Sequence, residues 1–110
     1  MSDLTELQEH LAHLKKQVEL KNQVQRLLGN ADFQAVIMKG FCEDEMRRQM
    51  GLAVCDRLPA DVRELCNQLA KSSAALDNYL DTSIRIGTSA EDDIEEVENQ
   101  IQELQMKGEE

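Results

Sequence analysis

From Pro59 to the C-terminus the chain contains no further proline, and apolar or small residues return every three or four positions: Val62, Leu65, Leu69, Ser72/Ser73, Leu76, Leu80, Ser83, Gly87, Ala90, Ile94, Val97, Ile101 and Leu104. That spacing belongs to one face of a helix and matches no strand, whose faces alternate every second residue. The steps slip around Ser73–Leu80 in the manner of a stutter. The segment "IGTSAEDD" holds the one feature that argues for a break, Gly87 followed by Thr88 and Ser89 as candidate caps. The seam keeps its phase through Gly87, however, which a loop would preserve only by coincidence. The periodicity therefore favours a single helix over about 59–106, with Gly87 as the place for any kink. A mid-helix glycine costs ~1 kcal/mol relative to alanine. Ser83, Gly87 and Ala90 would offset that cost by letting another backbone approach closely.

A second helix is written near the N-terminus. Asp3 and Glu6 stand at capping-box spacing, with Ser2 as an alternative cap, and Leu4, Leu7, Leu11, Leu14 and Val18 repeat in steps of three and four. Lys21 and Gln25 interrupt that register, and a stripe resumes on Leu20, Val24, Leu27 and Leu28, so the seam is expected to change partner or rotate near residue 20. Gly29 suits the position after the helix end, giving a helix over about 3–28. Between the rods, Asn30 reads as an N-cap and Phe33, Val36 and Ile37 share a face. Gly40 after Lys39 reads as a stop. "CEDEMRRQMGLAV" then places acids early and arginines late in a further helix, with Met46, Met50 and Ala53 or Val54 inward. Two short helices, about 31–39 and 43–54, are predicted, pegged by Phe33 and Phe41.

These elements predict an all-α fold: a helical hairpin resembling a coiled coil, elongated, in a single domain over 1–110. Aromatic residues make up only 3% of the chain, so large rings cannot supply its core. Helix A, about half the length of the C-terminal helix, is expected to leave the latter's end uncovered. The acidic segment 90–110 would then project, with Ile94, Val97, Ile101 and Leu104 facing water. Together with Leu4, Leu7, Leu11, Leu14 and Val18, they form the expected partner or self-association interface.

Charge constrains partners. Residues 1–55 carry seven Lys/Arg against eight Asp/Glu, and residues 56–110 carry five against fourteen, which accounts for the net −10. Such a chain is repelled by nucleic-acid phosphates, and no apolar run reaches the length of a membrane span. His10 and His13, with Glu6 and Glu9 one turn upstream, bring two candidate metal ligands together, but no third or fourth is signalled. The block Asp92, Asp93, Glu95, Glu96, Glu98 interleaves with Ile94 and Val97 as a solvated helix face does. Lys39, Arg47 and Arg48 form a small basic spot, expected to balance acids within the fold. Cys42, Cys55 and Cys66 lack metal-site spacing and read as small apolar residues. With no nucleophile–base pattern or phosphate-binding loop, the chain reads as a non-enzyme without a cofactor.

The stretch "NADFQAVIMKGFCEDEMRRQM" (30–50) resembles a pattern in small proteins encoded by tailed bacteriophages: Asn-x-Asp-Phe, an apolar helix, Gly-aromatic, and an acidic start to the next helix. In those proteins a long helix follows, with central leucines, a late glycine and an Ala-Glu opening an acidic end. Leu76, Leu80, Gly87 and "AEDDIEEVENQI" correspond here, so the likeness covers most of 28–101. Met46 stands where a small residue is common, and the three cysteines also depart from the pattern. The resemblance implies a structural or assembly component of a phage particle, located in the virion or in the host cytoplasm during assembly, binding other phage proteins or itself. It marks fold positions and transfers no functional residue. The alternative is an acidic host-takeover or regulatory protein that inhibits a host protein by occupying a basic groove.

Overall fold

The computed structural model describes residues 3–108; the alternative cap Ser2 lies outside them, as do Met1, Glu109 and Glu110. Every described element is helical: α1 (Asp3–Leu28), α2 (Ala31–Phe33) running on into a π-helical segment (Gln34–Glu45), α3 (Met46–Ala53) and α4 (Ala60–Gly108). The all-α expectation holds, and α4 passes through Gly87 without interruption. Its 49 residues correspond to about 73 Å of helix at ~1.5 Å per residue. Pro59 precedes the first turn and its carbonyl accepts from the Arg63 amide at 3.0 Å.

The chain divides into two compact units, a terminal one (Met1–Gln25 with Thr82–Glu110) and a central one (Arg26–Asp81). In the terminal unit α1 runs antiparallel to the later half of α4. Lys21 lies beside Gly87 and Glu91, whereas Asp3, Glu6, Leu7 and His10 lie beside Gln100, Glu103 and Leu104. Leu14, Ala90, Val97 and Ile101 are buried at the centre, with Leu4, Leu7, Leu11, Val18 and Ile94 packed around them.

This pairing corrects three expectations. The C-terminal end of α4 does not project: α1 covers it, because α1 matches the span of α4's later half and lies along it rather than along its start. Ile94, Val97 and Ile101 therefore do not face water, and Leu104 is half-buried. Nor does the α1 seam rotate at residue 20. Leu20 and Leu27 are exposed, while Lys21 stays on the inward line ahead of the buried Val24. Lys21 is tolerated there because its stem packs on Gly87 and its ammonium reaches the Glu91 carboxylate. The expected close approach at Ser83, Gly87 and Ala90 is present: all three are buried, and a Cβ at Gly87 would lie 2.9 Å from Lys21 Cγ and Cδ and closer still to its Cβ.

In the central unit α1 ends as expected at Leu28, but Gly29 adopts no left-handed conformation. The exit is made by three-residue bonds, from the Gly29 amide to Arg26 O (3.2 Å) and from the Asn30 amide to Leu27 O (3.0 Å). Gln34 Nε2 donates to the terminal Leu28 carbonyl at 2.7 Å. Asn30 caps the next helix, its Oδ1 accepting from the Phe33 amide at 2.9 Å.

The two expected short helices are one helical run over 31–53, because Gly40 does not stop it. In a π turn each amide reaches five residues back, so a turn holds between four and five residues. The inward residues follow that wider period: Phe33, Ile37/Met38, Cys42 and Met46 are half-buried or buried. Val36, placed inward by the α period, is 65% exposed. A Cβ at Gly40 would sit 3.2 Å from the Ala35 carbonyl oxygen, five residues back, so the glycine accommodates the width of the turn. Phe41 turns partly outward, and the buried position beside it belongs to Cys42; of the two expected pegs only Phe33 faces inward.

Candidate protein-binding surface

The residues singled out as a partner interface are largely occupied by one another. Leu4, Leu7, Leu11, Leu14 and Val18 meet Ile94, Val97 and Ile101 within the terminal unit, so they form its core. The exposed large apolar residues lie elsewhere. Of twelve large hydrophobic residues exposed among those described, nine belong to the central unit: Leu27, Val36, Phe41, Met50, Val54, Val62, Leu65, Leu69 and Tyr79. A concentration of this kind, rather than scattered single residues, is what marks an interaction surface.

The reason lies in how α4 is used between residues 60 and 81. The sequence offers two stripes there. One carries Val62, Leu65, Leu69, Leu76 and Tyr79; the other carries Cys66, Ala70, Ser73 and Leu80. The spacing reading put Val62, Leu65 and Leu69 inward, but the fold buries the second stripe. Cys66, Ala70, Ser73 and Leu80 are each at most 6% exposed, whereas Val62, Leu65 and Leu69 are 38%, 54% and 43% exposed. Small residues win because they let the 31–53 run come close. Cys42 reaches the Asp77 backbone, and burial, with the Asp77 and Glu43 carboxylates as lesser causes, pushes its thiol above the ordinary range. The Ser73 hydroxyl, part-buried, bonds back to Leu69 O at 3.5 Å, while Ser72 bonds to Gln68 O at 3.1 Å. The signal that would have found this was the four-three spacing of Cys66, Ala70 and Ser73, one position along from the line counted from Val62.

α3 leaves a furrow against the same part of α4. Met46 and Met50 line a 190 Å³ depression with Asn67, Ala70, Lys71 and Ala74. Ala53 and Val54 line one of 370 Å³ with Ala60, Arg63, Glu64 and Asn67. Met50, expected inward, is 54% exposed and Gln49 is buried instead; of Ala53 and Val54, Ala53 is half-buried and Val54 is 76% exposed. Its amide nitrogen donates to Glu45 Oε1 at 2.8 Å. Glu45 also receives two bonds from Arg48, at 2.6 Å and 3.0 Å. The Arg48 bonds, followed by that of Gln49, hold the Glu45 carboxyl down at about 2, and Glu45 in turn raises the Arg48 guanidinium. Lys39 pairs with Asp44 at 3.1 Å. Arg48 and Lys39 of the basic spot thus face acids of their own segment.

The other sequence candidates stay apart. His13 contacts the Gln17 amide nitrogen at 3.2 Å, and His10 lines an open 510 Å³ cleft with Asp3, Glu6 and Glu103. Among the described residues no group of three His, Cys, Asp or Glu side chains is placed to hold a metal ion. Asp92, Asp93, Glu95, Glu96 and Glu98 are all exposed. No described helix is long and apolar enough to cross a membrane. No protein-family model, curated protein sequence or solved structure matches the chain.

Proposed function

We propose that this chain is a non-enzymatic structural or assembly component of a tailed-phage particle that binds protein partners, or further copies of itself, through a helical seam. The phage assignment comes from the resemblance of residues 30–50 and of the late part of α4. The binding role is carried by one observation: Val62, Leu65, Leu69 and Tyr79 stand 38–55% exposed along one line of α4, although smaller residues beside them are buried. A lone chain gains nothing from leaving four large apolar residues in water, at about 25 cal/mol per Å² of uncovered apolar surface. The seam itself lies on α4 before residue 80, not at its C-terminal end.

Mass spectrometry of purified particles of the phage whose genome encodes the chain, together with its assembly intermediates, tests the reading. Fixed stoichiometry in either is expected. Absence from both, with capture of a basic host protein by the purified chain, would replace it with the regulatory alternative.

A further inference from the structure

We draw no further inference here: the strongest candidate, the exposed apolar patch of Val62, Leu65 and Leu69 on the first part of α4, carries no proposal because nothing in the structure shows what covers it.

Discussion

The two units of this protein solve the same packing problem with opposite inventories. The terminal unit buries Leu14, Val24, Val97 and Ile101 alongside Ala90. Among the described residues the central unit buries Cys42, Gln49, Cys66, Ala70 and Ser73, and Leu80 is its one buried large aliphatic side chain. Burying a Leu, Ile or Val side chain is worth roughly 1.5–3 kcal/mol, and a serine or alanine contributes far less. The terminal unit therefore draws its stability from its own seam. The central unit holds its backbones close through small residues, leaves Phe33, Ile37, Met38, Met46 and Leu76 half-buried, and keeps Val62, Leu65 and Leu69 outside. One unit is finished as a core; the other presents a surface.

The sharpest way to break this comparison is to truncate one leucine in each unit. Leu14→Ala should destabilise the chain by about 2–5 kcal/mol, because it opens a cavity in the aliphatic cluster. Leu65→Ala should change stability by no more than about 0.5 kcal/mol when measured at concentrations below any self-association, since Leu65 is 54% exposed. Urea unfolding of both variants checks the pair. A large loss from Leu65→Ala in dilute solution would mean that the line is already covered within its own molecule.

Gly87→Ala is the next largest effect. Alanine removes the helix-propensity cost of glycine, ~1 kcal/mol. The added Cβ, however, would press on the root of the Lys21 side chain, where nothing can swing away. Overpacking should win, leaving a net loss of about 1–3 kcal/mol by thermal or chemical unfolding. Gly51, where an added Cβ meets nothing within 4 Å, is the control, and Gly51→Ala should be neutral or stabilising. A stabilised Gly87→Ala chain would mean that α1 and α4 lie farther apart at this level than the buried Gly87 implies.

The same contrast explains what could be read from the residues alone. α1, the Asn30 cap and an unbroken α4 were legible because each follows from local chemistry or from a period sustained over many turns. The choice of seam was not. Periodicity shows that 62–80 carries two usable stripes, but which one is covered depends on how closely a distant segment can approach, a tertiary property. The three-four spacing counted from Val62 runs through Leu65 and Leu69, where the fold selects Cys66 and Ala70. The π segment was missed for a related reason: applying the 3.6-residue period to residues 33–46 places Val36 inside and makes Gly40 look like a stop. Phe33, Ile37/Met38, Cys42 and Met46, spaced by four or five, carried the wider period all along. At the C-terminal end the error was one of alignment. Helix lengths were compared correctly, but α1 was laid along the wrong half of α4.

The smallest predicted effect probes the polar side of the central unit. Glu45 has an ordinary carboxyl value of 4.5 and is held at about 2 in the folded chain, mainly by the Arg48 hydrogen bonds and then by Gln49. Because the folded value lies below the unfolded one, the folded state gains from ionised Glu45 at pH above 4.5. That gain fades as pH falls from 4.5 toward 2, and below both values it is gone. Arg48 is exposed and Glu45 partly so, so solvent and salt screen the pair and the contribution is small. Carboxyl NMR should place the Glu45 midpoint well below those of other exposed glutamates, and Arg48→Ala should return it toward 4.5. Gln49→Ala should return it less far, because Gln49 provides the second cause. The melting of native chain and Glu45→Gln should then differ above pH 4.5 and converge toward pH 2. A Glu45 midpoint that ignores Arg48→Ala would show that the fork between them does not persist in solution. The central unit would then depend on small-residue packing alone.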